Sequence, residues 1–301
     1  MSSDAAALVD YPRIPHIIHQ SWRDAALVPR GLQSAILSWR RIMPKWHYEF
    51  HSDADNLRLV QARYPWLVPF FMRSSAIQRA DISRYMYMHA VGGVYADLDV
   101  ELLQPLTPLL RQLRRERGLN ASVILGQEPL AHAVLLEYKP RQVCNAVLAS
   151  VKGHPFWLEV LHRIASARGG GTDPVGSTGP RLLERVVREW HVRHGGGGGI
   201  GGGGVVVVAP DIFYPTWDPM QRKTFRERCV RAGGGMRVLR TPRAVALDEM
   251  RERTCARLRR EGFRPTVVPE AFTNHLWTHT WINGASKVSL GDVFRLERGR
   301  R

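Results

Sequence analysis

The sequence predicts an α/β protein. Three observations carry that expectation: short apolar runs alternate with segments of helical period, the helical segments open and close on capping or breaking residues, and the 301-residue chain is 44% hydrophobic, enough to bury a substantial core. Residues 14–19, IPHIIH, form an apolar run behind a proline and suit a buried first strand. A helix is expected from about Pro29, where PRGLQSAILSWRRI places Leu32, Ile36, Trp39 and Met43 on one face. WHYEFHS alternates as a strand does, and DADNLRLVQARYP begins on aspartate caps and stops before Pro65. Ser74 or Ser75 can cap a helix running to about Val91, and Gly92-Gly93 can end it, since a left-handed residue there favours glycine. Further on, VVVVAP reads as a buried strand, and MRVLRTP, the helical ALDEMRERTCARLRREG and TVVP continue the alternation.

Two segments interrupt it. RGGGTDPVGSTGP at 168–180 and HGGGGGIGGGG at 194–204 read as too glycine-rich to pack, the second as a flexible expansion inside a loop. No Gly-Lys-Ser/Thr follows, which argues against a phosphate loop. With no internal repeat and no linker, residues 11–285 are expected to form one domain and 286–301 a ragged basic tail.

A net charge of +16 invites a nucleic-acid or membrane reading, because such a field attracts phosphates. The arginines, however, are scattered along the whole chain, and only five of the 43 basic residues are lysines. Clustered basic residues with interleaved aromatics are missing, so nucleic acid is not the expected ligand. The three cysteines, Cys144, Cys229 and Cys255, show no Cys-x-x-Cys spacing, and an odd number cannot complete a disulfide framework. A stapled fold and metal binding through sulfur are both disfavoured. No apolar run is long enough to span a bilayer, and the first residues lack the apolar stretch of a signal peptide. Asn120-Ala121-Ser122 is a glycosylation sequon that would fit a secretory lumen.

The chemistry concentrates in IQRADISRYMYMHAVGGVYADLDVELLQPL at 77–106. Asp81, Arg84 and Met88 recur along one side of the predicted helix, where an Asp–Arg pair is either a surface ion pair or part of a site. GVYADLDV follows as an extended segment. Residues two apart on a strand share a face, so Asp97 and Asp99 are expected to converge while Leu98 turns into the core. Two carboxylates so close repel unless a proton or cation intervenes, and a hard divalent cation with oxygen ligands is the natural occupant. Such an ion also neutralises charge on a departing diphosphate.

This block resembles the R-A-D-x-x-R-Y…G-G-x-Y-x-D-x-D pattern of the glycosyltransferase family 32-like DXD sugar transferases, among them initiating α-1,6-mannosyltransferases and mannosyl inositol phosphorylceramide synthases. IPHIIHQSW at 14–22, NAVLASVKGHPFW at 145–157, GSTGP at 176–180 and HLWTHTW at 275–281 are similar to further blocks of the family, in its order. The resemblance implies a GT-A-type nucleotide-sugar-binding fold with a mixed central sheet flanked by helices, Mn²⁺ or Mg²⁺, and a retaining hexosyl transfer. Asp97 and Asp99 would bind the metal and the donor's ribose and diphosphate, with His275 the last metal ligand and His279 its rival. Asp81 and Arg84 would face the donor sugar and its phosphates, Gly92 and Gly93 would permit close backbone approach, and Tyr95 would lie within the donor site. Ile17, His19 and Trp22 would lie where the family binds the nucleotide; Trp22 either stacks on the base or belongs to the core. Trp277 and Trp281 would shape a lid.

Catalysis would be electrostatic and positional, with no nucleophile to name. A glycosidase-like carboxylate pair is disfavoured, since adjacent aspartates are too close to flank a sugar ring at separations of about 5–9 Å. A D-x-D-x-T phosphohydrolase would need threonine where Glu101 stands. A non-catalytic sugar-nucleotide-binding relative stays open as an alternative. For the donor, GDP-mannose is favoured and a UDP-hexose, as for an α-galactosyl or glucosyl transferase, is the alternative. The implied partners are the nucleotide sugar, a glycan or sphingolipid acceptor and a membrane surface or anchoring subunit, and the implied location is the Golgi or secretory pathway.

Overall fold

The computed structural model describes residues 13–115, 121–166, 173–194, 201–230, 241–279 and 287–298. The α/β expectation holds. The first half runs β1 (Ile17–Ser21), β2 (Val28–Pro29), α1 (Gln33–Ile42), β3 (His47–His51), α2 (Asp53–Arg63), α3 (Val68–Arg73), α4 (Ala76–Ala90), β4 (Gly93–Ala96), β5 (Val100–Leu102) and α5 (Leu106–Arg115). Then come β6 (Val123–Gln127), β7 (Val143–Ser150), α6 (Pro155–Ala165), α7 (Pro174–Ser177), α8 (Pro180–Arg193), β8 (Gly201–Gly202), β9 (Val205–Val208) and α9 (Pro210–Phe213). The described chain closes with α10 (Arg222–Val230), α11 (Pro242–Arg260), β10 (Thr273–His275), β11 (Lys287–Val288) and α12 (Leu290–Arg298).

Seven strands form a mixed central sheet in the order β3-β1-β4-β7-β6-β9-β8. β3, β1 and β4 run parallel, β7 is antiparallel to both β4 and β6, and β9 returns parallel to β6. Helices cover both faces, so interior strands are apolar throughout instead of alternating. β9 shows the division. Val205 and Val207 pack with Ile82, Met86, Trp157 and Val186, whereas Val206 and Val208 join Trp39, Ala149, Phe213 and Tyr214 on the other face.

Local signals place most boundaries. Ser52 caps α2 through a reciprocal exchange with Asp55, and Ser75 caps α4 in the same way with Gln78. Nearly every face of α4 is buried, from Gln78 through Ala90, because it lies between the sheet and α2 and α6. Gly92 and Gly93 end that helix at φ +74° and +101°. Their close approach is to the chain itself: a Cβ on Gly92 would lie 2.6 Å from the Lys152 nitrogen, and one on Gly93 2.6 Å from the Ile17 oxygen.

Several expectations are corrected. The helix expected from Pro29 begins at Gln33, because Val28–Pro29 pairs with Lys287–Val288. That pairing also removes the ragged tail: Leu290 and Val293 of α12 are buried against Val28, Leu32 and Ile36, and Arg40 lies 3.9 Å over the Phe294 ring. TVVP forms no strand. Within 168–180, residues 173–180 pack after all, with Thr178 fully buried. Gly201–Gly202 pairs with β9, and the Gly204 carbonyl accepts from the backbone N–H groups of Ser122 and Val123, so this end of the 194–204 stretch is part of the sheet. MRVLRTP falls outside the described residues up to 240, as do Asn120 of the sequon and Trp281.

Cys229 and Cys255 form a disulfide that ties α10 to α11, against the expectation of an unstapled chain. An odd number of cysteines leaves room for one bridge and one spare, and the spare, Cys144, is buried in β7. No helix among the described residues is long and apolar enough to cross a membrane.

Candidate active site

The Asp97-Leu98-Asp99 triplet is not one strand. β4 stops at Ala96, and a turn closed by Val100 N–H donating to the Asp97 carbonyl at 3.0 Å separates it from β5. The two carboxylates therefore do not share a strand face as alternation predicts. The turn forms because Leu98 inserts among Val28, Leu32, Ile36, Leu290 and Val293, which does match the inward turn expected of it. Each carboxylate has its own set of partners.

Asp97 caps the end of β4. Its Oδ1 accepts from the Tyr95 hydroxyl at 2.7 Å and its Oδ2 from Arg84 Nη1 at 3.1 Å. Arg84 also donates to the Asn145 carbonyl at 2.8 Å and lies 4.9 Å over the Tyr95 ring. The guanidinium is buried, and although burial alone would lower its pKa, Asp97 and its neighbours keep it firmly charged. Gln20 Nε2 donates to the Asp97 carbonyl at 3.2 Å while its oxygen accepts from Tyr48 at 2.7 Å.

Asp81, one turn before Arg84 on α4, is buried, which excludes the surface-pair reading. Asn145 Nδ2 donates to it at 2.8 Å and Thr178 Oγ1 at 2.9 Å, with Arg84 3.5 Å away. Burial pushes its carboxyl pKa up against the pull of Arg84. Asn145 and Thr178 stand in the NAVLAS and GSTGP blocks, whose roles residue spacing left unassigned.

Asp99 looks the other way, to β10. His275 Nε2–H donates to Oδ1 at 3.1 Å, and the backbone N–H and hydroxyl of Thr278 reach Oδ2 at 3.1 and 3.0 Å. Burial would raise this carboxyl, but His275 and Thr278 together hold it well below the usual carboxylate range. Burial opposes the charge on His275 as well, and Asp99 outweighs it and raises the imidazole. The His275 Nδ1 is buried with no hydrogen-bond partner. His279 instead pairs with Asp218 at 3.1 Å.

The segment carrying these residues is bent into place. Trp277 and His279 have φ of +51° and +49°, unusual for side chains so large, and Trp277 Nε1 donates to the Thr216 carbonyl at 2.9 Å. Thr216, Asp218 and Thr278 carry no spacing signal that finds them from sequence.

The residue types suit a hard divalent cation, since both carboxylates keep unused lone pairs and the buried His275 Nδ1 lacks a partner, but the ligand atoms of Asp97, Asp99 and His275 do not all come within 4.8 Å of one another. Of the nucleotide-side candidates, Ile17 opens β1, and Trp22 is half-buried, its indole N–H donating to the Leu27 carbonyl at 3.1 Å. His19 is fully buried, and its side chain is turned to Gly92 and His51.

A D-x-D turn at a strand end is thus backed by a helix whose Asp81 and Arg84 are buried. Residues 29–116 match the family described as glycosyltransferase sugar-binding region containing DXD motif. The chain is a relative of mannosyltransferases. It is 28% identical over 170 residues to inositol phosphoceramide mannosyltransferase 1 of Schizosaccharomyces pombe, covering 55% of this chain and 47% of that protein. Inositol phosphoceramide mannosyltransferase 2 of the same yeast is 37% identical over 154 residues, 51% of this chain and 39% of the relative. Mannosyl phosphorylinositol ceramide synthase SUR1 of Saccharomyces cerevisiae is 28% identical over 182 residues, 59% and 42%. The chain thus spans less than half the length of these relatives. Among solved structures, the ligand-free glycosyltransferase domain of the YGT toxin aligns with a TM-score of 0.46 at 11% identity over 82% of this chain and 100% of that one.

Proposed function

We propose that the protein is a metal-dependent, retaining glycosyltransferase of GT-A type that moves mannose from GDP-mannose to an inositol-phosphoceramide-like lipid or a glycan. The observation that carries this reading is the D-x-D turn inside the family-matched region, with its two carboxylates anchored separately, one by Arg84 and one by His275. The names of the yeast relatives support the mannosyl and sphingolipid parts.

Asp97, Asp99 and His275 would hold Mn²⁺ or Mg²⁺, which would supply charge neutralisation at the departing diphosphate. The chain's own residues set the stage before any substrate arrives. Arg84 and Tyr95 hold the Asp97 carboxylate, and His275 and Thr278 hold that of Asp99. Arg84 acts here mainly as a positioning residue. Asp81 is aimed by Asn145 and Thr178 and would receive hydroxyls of the donor sugar. The acceptor hydroxyl would attack the sugar from the side the diphosphate leaves, without a protein nucleophile.

The Cys229–Cys255 bridge favours an oxidising compartment and so supports a secretory or Golgi location. The basic chain would favour an anionic membrane surface presenting the acceptor. The test is donor hydrolysis by the purified protein with Mn²⁺ present or chelated, across GDP-mannose, UDP-glucose, UDP-galactose and UDP-N-acetylglucosamine. Metal-dependent release of GDP, lost in Asp99→Asn, is the expected result; release of UDP alone would overturn the mannosyl assignment, and no release from any donor the transferase reading.

A further inference from the structure

We propose that His19, Glu49 and His51 form a second metal site, for Zn²⁺ or a similar transition-metal ion, separate from the D-x-D turn and bridging β1 and β3. Among the described residues these three are the His, Cys, Asp or Glu side chains whose ligand atoms all lie within 4.8 Å of one another. The parallel register of β1 and β3 sets His19 beside Glu49, and His51 follows two residues on, so all three point from the same face of the sheet. His19 Nδ1 is 3.0 Å from His51 Nε2 and 3.3 Å from Glu49 Oε2, and the last two are 3.6 Å apart. A tetrahedral zinc with bonds of about 2.0–2.1 Å sets its ligand atoms about 3.3 Å apart. The three separations bracket that edge.

The hydrogen-bond pattern points the same way. His19 Nε2–H donates to the Gly92 carbonyl at 2.8 Å, which leaves Nδ1 as the ring atom facing Glu49 and His51. One cation can take a lone pair from each of the three facing atoms, His19 Nδ1, His51 Nε2 and Glu49 Oε2. The surroundings supply the outer partners that metal ligands require. The Gly92 carbonyl orients His19, His47 Nε2 stands 3.4 Å from the second oxygen of Glu49, and the His51 ring is stacked on Tyr87 with centroids 3.9 Å apart. Glu49 and His51 are partly exposed, which gives an ion its way in and leaves room for water as a fourth ligand. The ion would clamp β1 to β3, directly beneath the end of α4.

The site is tested with the metal-stripped full chain titrated with Co²⁺ and then Zn²⁺, read by visible absorption and by metal content. One equivalent of Co²⁺ with the absorption of a four-coordinate nitrogen and oxygen site, displaced by Zn²⁺, is expected. His51→Ala should weaken Zn²⁺ binding at least about 100-fold and Glu49→Gln at least about 10-fold, while Asp99→Asn leaves it unchanged. If His51→Ala does not fold, His51→Gln takes its place beside the wild-type spectrum. Absence of stoichiometric binding would overturn the proposal in favour of an imidazolium–carboxylate hydrogen bond. Binding lost in Asp99→Asn and kept in the His51 variant would assign the ion to the other site.

Discussion

Asp99 and His275 lie 176 residues apart in the chain and meet at 3.1 Å across the antiparallel pairing of β5 and β10. The contact joins the D-x-D turn to the segment carrying Trp277 and Thr278, so the two are one hydrogen-bonded unit. Asp99→Asn keeps the shape and removes the charge. Transfer should fall at least about 100-fold, roughly 2.7 kcal/mol of barrier, while the unfolding transition stays cooperative. Steady-state assay with parallel urea melts checks this, and near-parent activity would sink the role given to Asp99.

Thr178 reaches Asp81 from 97 residues away and completes its set of donors. Thr178→Val removes that donor and leaves a buried carboxylate oxygen short of a partner, which should cost about 1–3 kcal/mol of stability. Thr178→Ser should recover most of it. Equal midpoints for all three proteins would mean that Asp81 does not depend on this hydroxyl.

Reduction of Cys229–Cys255 opens a loop with a sequence separation of 26, and chain-entropy arguments put the loss at about 3.5 kcal/mol. Thermal melts with and without reductant should differ accordingly, and Cys229→Ser/Cys255→Ser should match the reduced parent. Cys144 should resist thiol reagents in the native state, since it is buried and burial pushes its thiol pKa up.

His154 caps α6 by accepting from the Phe156 N–H, with Pro155 at the first helical position, so the His-Pro-Phe block is architecture. Burial lowers its pKa from the ordinary 6.5 to about 4. A depressed folded-state pKa means that its contribution is present above pH 6.5 and is lost as pH falls through that value toward about 4. His154→Asn keeps a capping side chain without a titrating group. The decline in urea midpoint between pH 7 and pH 4 should be shallower in the variant; identical slopes would exclude His154 as a contributor.

Much of the framework was legible because its signals are local. The Ser75 cap, the Gly92-Gly93 stop and the all-valine β9 each report on their own neighbours through helical period, dihedral preference or continuous burial. Resemblance carried the reading further, to the order of the blocks around the acidic triplet. Alternation misled at Asp97-Leu98-Asp99, where Leu98 enters a pocket built from β2, the turn before α1, α1 itself and α12, and the chain turns there instead of continuing as a strand.

The sequence by itself determined the α/β alternation, the helix that carries Asp81 and Arg84, and the acidic triplet that follows it. Only the tertiary structure decided which donor holds which carboxylate, that Asn145 and Thr178 converge on Asp81, that Cys229 meets Cys255, and that the C-terminal segment packs on α1. It also brought His19 against Glu49 and His51. The reason is physical: period and capping act within a turn or two of chain, whereas these contacts close loops of tens to more than a hundred residues. Their partners are set by how the layers stack, and no local preference encodes that.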